Sequence, residues 1–136
     1  GPSVQPAFGF LDSDPAWVVV HWTEAASVYV RKGLRPDLET AAYRFIKPSN
    51  PTRSLAAALR WAAGEPAKLQ AVEGEVQRML EAEPGGVQSL SVAVLFYHTA
   101  GAAGRESRDA AWARLTAVAP DHPAVLQLAS QLGLPR

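Results

Sequence analysis

Proline and glycine divide this chain into segments of helical length. The 136 residues include 11 prolines and 10 glycines, and several of the prolines stand where an apolar-periodic segment begins. Proline at the first position of a helix loses no hydrogen bond, and glycine readily adopts the left-handed conformation that ends many helices. Segments of this kind joined by short loops favour antiparallel neighbours. The pattern predicts an all-α domain of about seven short antiparallel helices, stacked as helical hairpins in a bundle or a short α-solenoid.

The first two predicted helices depend on these signals most strongly. The valines at 18–20 favour a strand locally, but the alanines that follow and the glycine at 33 favour a helix that begins at Pro15. The second helix is expected to begin at Pro36 and to end before Pro48. The other five are expected to begin near Pro51, Pro66, Val87, Arg105 and Pro123.

The fifth predicted helix differs from the others in its surface. Almost every residue between Leu90 and Tyr97 is apolar, so no polar face is left for solvent. A helix that is apolar on all sides is normally covered by its neighbours. We therefore expect this helix to lie at the centre of the domain.

The chain is expected to consist of an arm and one domain. Residues 1–13 combine Gly1-Pro2, typical of the remnant left by a tag-removing protease, with an extended arm whose Phe8, Phe10 and Leu11 are expected to pack on the domain. Residues 14–136 are expected to form a single helical domain. With no signal peptide and no apolar run of the ~18 residues that a membrane span needs, we expect a cytoplasmic location and no membrane span. The abundance of alanine and arginine indicates a bacterial source.

Residues with catalytic or metal-binding chemistry are sparse. The chain has no cysteine, which excludes disulfides, thiolate metal sites and cysteine nucleophiles, and its three histidines share no motif. His21 and Glu24 would share one face of a helix, but a zinc site needs a further ligand of the same kind. His98 and His122 are expected at helix ends. We therefore predict no catalytic residue, no metal site and no cofactor, and do not expect an enzyme.

Charge is the one polar asymmetry of the chain. The net charge is zero overall, but residues 31–60, here called the basic belt, carry seven cations and two carboxylates. The segment that follows is acidic. If the second and third predicted helices are antiparallel, their outer faces form one basic surface. The residues that we expect to bind a partner are Tyr43, Arg44, Lys47, Arg53 and Arg60.

Residues 91–133 resemble a tetratricopeptide-type helical hairpin with a capping helix. The resemblance is carried by the aromatic-then-glycine end of the first helix, by Trp112, Leu115 and Val118 in the second, and by the run Pro-Asp-His-Pro at 120–123. The glycine-containing turn at 101–104 and Arg108 depart from the pattern of that family. The resemblance covers about a third of the chain and implies a protein-binding scaffold.

Three functions follow from these observations. The first is a non-enzymatic interaction or scaffold module that binds another protein through a groove between helices, or an acidic one through the basic face of the second and third predicted helices. The second is nucleic-acid binding through the same belt, which predicts a steep dependence of affinity on salt. The third is a self-assembling structural component, a homo-oligomer that uses the apolar fifth helix or the N-terminal arm as its interface.

Overall fold

The structure, a computed structural model, describes Leu11 and residues 14–135. The expectations for the tag remnant and the arm therefore lie outside the described residues, except at Leu11, which is buried. In the described part of the chain two strands precede six helices, the first of which is a single turn. The elements are β1 (Trp17–Trp22), β2 (Ser27–Arg31), α1 (Pro36–Glu39), α2 (Pro51–Ala62), α3 (Pro66–Ala82), α4 (Val87–Thr99), α5 (Arg105–Val118) and α6 (Pro123–Leu132), with a 3-10 turn at Gly101–Gly104.

The all-α prediction is wrong, because the first predicted helix is a β-hairpin. β1 and β2 pair antiparallel, with Val18 opposite Val30 and Trp22 opposite Ser27. β-Branched and aromatic residues dominate both strands, WVVVHW and SVYVR, and such side chains fit a pleated, half-buried surface. The domain is therefore a mixed one, with six helices and a two-stranded sheet in place of seven stacked helices.

A polar turn closes this hairpin. The Thr23 N–H donates to the Ala26 carbonyl at 2.8 Å. In the same turn the Thr23 hydroxyl oxygen accepts from the Ala25 and Ala26 N–H groups at 3.2 and 3.3 Å. A threonine side chain that bonds the backbone two or three residues on stabilises a turn at the expense of a helix. Ala25 and Ala26, which favoured a helix in the sequence, lie in this turn.

The second predicted helix stops after one turn. It was expected to continue to Pro48, but α1 ends at Glu39. Beyond it, Tyr43 forms an isolated antiparallel bridge with Val19, on the edge of β1 away from β2, and the Tyr43 N–H donates to the Val19 carbonyl at 2.7 Å. The apolar residues of this segment have helical spacing, but tertiary contacts determine their conformation.

The other five predicted helices are present, and α4 is central as predicted. α4 packs against α2, α3, α5 and α6. The hairpin and the segment after α1 belong to the same core, because Val19 and Trp22 of the hairpin and Tyr43 and Ile46 of that segment are buried in one cluster with the side chains of α4. The buried residues of α4 are Ser89, Leu90, Ser91, Val92, Ala93, Val94, Phe96 and Tyr97.

The two ends of α6 have the predicted caps. His122 precedes the helix and its Nδ1 accepts from the Ala124 N–H at 3.1 Å, while Gly133 follows it with φ +66°. Two large apolar side chains, Val118 at the end of α5 and Leu126 on α6, are 49% and 37% exposed.

The helices of the described residues do not include a membrane span. None of them is both long enough and apolar enough to cross a bilayer.

Candidate functional site

The five predicted partner-binding residues do not line one depression. Tyr43, Arg44 and Lys47 line a groove between the hairpin and the segment after α1. Arg53, on the first turn of α2, lines a different depression. Arg60 is exposed on the last turn of α2. The structure therefore brings together three of the five.

We call the first of these depressions the hairpin groove. It has a volume of about 480 Å³ and is formed by the N-terminal approach to β1, the end of β2 and the chain from α1 to Lys47. One further basic side chain, Lys32, lies in it. The lining residues are Asp14, Pro15, Trp17, Val18, Lys32, Glu39, Ala42, Tyr43, Arg44 and Lys47.

The two carboxylates of the hairpin groove already accept backbone hydrogen bonds. Asp14 Oδ1 accepts from the Ala16 N–H at 2.9 Å, and Glu39 Oε2 accepts from the Gly33 N–H at 2.9 Å. These bonds direct the carboxylates toward the backbone that shapes the groove. The groove is lined by three basic side chains, Lys32, Arg44 and Lys47, and by these two carboxylates, so its net charge is weakly positive.

A buried carboxylate on α3 holds the backbone that carries Arg44. Glu75 is only 6% exposed. Its Oε2 accepts from the Arg44 N–H at 2.8 Å, and its Oε1 accepts from the Phe45 and Ile46 N–H groups at 3.0 and 3.1 Å. Three donors converge on one carboxylate, so this stretch of chain is fixed although it belongs to neither a helix nor a strand.

Sequence reasoning missed the role of Glu75. The sequence marks this helix only as part of an acidic segment, but Val72, Glu75, Val76 and Met79 share one buried stripe of α3. A glutamate at the i+3 position of an otherwise apolar stripe is the signal that could have identified it. A buried carboxylate requires hydrogen-bond donors, and here they come from a segment 31 residues away.

Arg78, one turn after Glu75, donates hydrogen bonds to backbone carbonyls of the same region. Its Nη2 donates to the Val20 carbonyl at 3.1 Å and to the Ala41 carbonyl. The guanidinium carbon also lies 4.2 Å from the centre of the Tyr43 ring. α3 therefore binds amides through Glu75 and carbonyls through Arg78, which fixes the floor of the hairpin groove to β1.

Tyr43 forms this floor and carries no charge. The residue is 2% exposed, and its ring packs edge to face against Trp22 with 6.2 Å between centroids. Burial raises the pKa of the Tyr43 phenol, and the Arg78 guanidinium opposes that shift in part. The phenol therefore stays protonated at neutral pH. Tyr43 therefore lines the groove together with Arg44 and Lys47 but is itself buried.

His21 and Glu24 do not form the pair that a helix would have brought together, because this segment is a hairpin. His21 lies on β1 opposite Val28, while Glu24 lies in the turn, so the two do not share a helix face. The Glu24 carboxylate instead accepts from the Gln88 N–H at 2.6 Å. Among the described residues, no group of three or more histidine, aspartate or glutamate side chains is placed to hold a metal ion.

No protein-family model matches the chain, and no curated protein or solved structure matches it significantly. The tetratricopeptide-like character of residues 91–133 therefore stays a prediction.

Proposed function

We propose that this protein is a non-enzymatic interaction module that binds an acidic segment of a partner protein in the hairpin groove. The observation that carries the proposal is the combination of three cations in one groove with a floor that α3 holds in place. Lys32, Arg44 and Lys47 supply the charge, and Glu75 fixes the backbone amide of Arg44. A site that is already ordered loses little conformational entropy on binding.

The availability of the cations supports this choice. In the part of the chain that the structure describes, the ion pairs join Arg35 to Asp37, Lys68 to Glu65 and Arg108 to Asp109. Neither Lys32 nor Arg44 takes part in one of them. Arg44 is exposed, so a carboxylate of a partner reaches it without displacing an internal anion. Arginine also binds a carboxylate through two parallel hydrogen bonds.

Nucleic-acid binding through the basic belt is the weaker alternative. A protein that follows a phosphate backbone needs cations along one continuous surface. The belt is divided, since Arg44 lines the hairpin groove and Arg53 a different depression. Arg35, a third member, is paired with Asp37 at 2.8 Å.

The proposal predicts that charge reversal in the groove abolishes binding of an acidic peptide. In the double variant Lys32→Glu/Arg44→Glu, we expect the affinity for a fluorescent oligoglutamate peptide to fall by more than about tenfold, because attraction becomes repulsion. Fluorescence anisotropy measures this directly. The matched control is Arg105→Glu/Arg114→Glu, which changes the net charge equally at two exposed positions of α5 and should leave the affinity almost unchanged.

Two results would contradict the proposal. Equal losses in both double variants would mean that the peptide senses only net charge. Tighter binding of a single-stranded oligonucleotide than of the peptide, with a steep loss of affinity in salt, would favour nucleic acid instead. Thermal melting of each variant shows that the fold is retained.

A further inference from the structure

Three helices begin at one depression on the surface of the protein. The first turns of α2, α4 and α6 line a pocket of about 330 Å³ through Thr52, Gln88 and Ala124, together with Ser91 and His122. These helices have 12, 13 and 10 residues. The N-terminal end of a helix carries partial positive charge and N–H groups without an intrahelical acceptor. Of these three ends, that of α6 is already capped by His122, so the N–H groups left for an anion are those of α2 and α4.

Ser91 is an independent indication of a ligand. The residue is 5% exposed, and its Oγ has no hydrogen-bond partner within the described structure. Buried hydroxyl groups are normally hydrogen-bonded. Ser91 lines this pocket and also the depression beside it. An acceptor atom bound between the helix ends would satisfy the hydroxyl.

Arg53 contributes a full positive charge to the same region. The second depression has a volume of about 310 Å³ and shares Thr52, Ser91 and Ala124 with the first. We call the two together the helix-end trough. Asn50, which precedes α2, makes no side-chain cap. The amides of the first turn of α2 are therefore left for a ligand, beside the guanidinium of Arg53.

An internal carboxylate already occupies one of the three helix ends. Glu24, from the turn of the hairpin, lines the trough, and its Oε1 accepts from the Gln88 N–H at 2.6 Å. The backbone N–H of Glu24 in turn donates to Glu83 Oε1 at 3.2 Å. The contact shows that an oxyanion fits this helix end. Glu24 also opposes a second anion by charge repulsion.

The histidine of the trough is placed as a donor. His122 Nδ1 accepts from the Ala124 N–H at 3.1 Å, so the ring proton of a neutral imidazole is on Nε2. In that tautomer Nε2 cannot remove a proton from the Ser91 hydroxyl. Ser91 and His122 therefore suit the binding of an anion and not a nucleophile–base pair.

We propose that the helix-end trough binds a phosphate-type oxyanion, as free phosphate or as a small phosphomonoester. Arg53 and the first-turn amides of α2 neutralise its charge, and the Ser91 hydroxyl donates to one of its oxygens. Glu24 is the competing internal carboxylate. This site is separate from the hairpin groove, and its existence does not depend on the function proposed for that groove.

Titration with inorganic phosphate, followed by amide chemical shifts at constant ionic strength, tests the site. We expect saturable shifts at Thr52, Arg53 and Ser91, and an affinity about tenfold lower in Ser91→Ala and in Arg53→Gln. Glu24→Gln should raise the affinity severalfold, because its amide oxygen still accepts from Gln88 while the negative charge is gone. Glycerol phosphate in a parallel titration distinguishes a monoester from free phosphate by its relative affinity.

The controls use substitutions that do not touch the trough. Arg60→Gln, two turns further along α2, should leave the phosphate affinity unchanged. Ser91→Ala removes a hydroxyl that has no partner, so it should fold as stably as the wild type, and its melting temperature checks this. Identical shifts with chloride, or a Glu24→Gln variant that binds phosphate no better than the wild type, would overturn the proposal.

Discussion

Glu75→Ala is expected to reduce the free energy of unfolding by more than about 3 kcal/mol. The substitution removes the acceptor of three backbone N–H groups, those of Arg44, Phe45 and Ile46. Each buried donor left without an acceptor costs about 1–3 kcal/mol. The segment has no helix or strand partner that replaces the carboxylate for all three. We expect a loss smaller than the sum of the three separate costs, because water can enter and bond some of the released N–H groups.

Urea denaturation measures this loss against a matched control. Glu81→Ala removes an exposed carboxylate from the same helix and should change the stability by no more than about 0.5 kcal/mol. The stability loss of Glu75→Gln should lie between those of the two alanine variants. The amide oxygen still accepts a hydrogen bond, but the amide nitrogen is a donor that faces further donors. A Glu75→Ala variant as stable as Glu81→Ala would show that Glu75 does not hold the segment.

Arg78→Ala is expected to have the second largest effect, a loss of about 2–4 kcal/mol. The guanidinium donates to the carbonyls of Val20 and Ala41 and lies over the ring of Tyr43. Removal leaves both carbonyls without this donor and opens a gap above the ring. Because these contacts join β1 to the segment after α1, the variant should also lower the affinity for the acidic peptide.

The stability of an Arg78→Lys variant shows how much of the loss is due to the positive charge and how much to the geometry of the guanidinium. A lysine keeps the positive charge but cannot span two carbonyls with a planar fork, so it should recover only part of the loss. The double variant Glu75→Ala/Arg78→Ala should lose less than the sum of the single losses, because either change alone releases the same segment. Fully additive losses would mean that the two side chains act independently.

The helices from α2 onward could be predicted from the sequence because their signals are local. Proline at the first helical position, as at Pro51, Pro66 and Pro123, and the apolar run of α4 act within one segment. The hairpin could not be decided in this way. The valines of β1 favoured a strand, but the evidence that decides the matter is non-local, since Tyr43 pairs with Val19 and Arg78 bonds Val20.

The candidate site was predictable only in part for the same reason. The basic belt identified Arg44, Lys47 and Arg53, but which cations share a groove depends on where α1 ends. Tyr43 is buried because the chain leaves the helix and reaches β1. Glu75 was overlooked because a carboxylate on a predicted surface helix is usually solvated, and its amide donors come from outside α3.

Amide chemical shifts during titration with the oligoglutamate peptide show which surface the peptide occupies. If that surface is the hairpin groove, the amides of Lys32, Arg44 and Lys47 shift with one saturating curve, and the shifts vanish in Lys32→Glu/Arg44→Glu while the amides of α5 do not shift in either protein. Shifts confined to other surfaces, or shifts that persist in the double variant, would contradict a binding site in the hairpin groove.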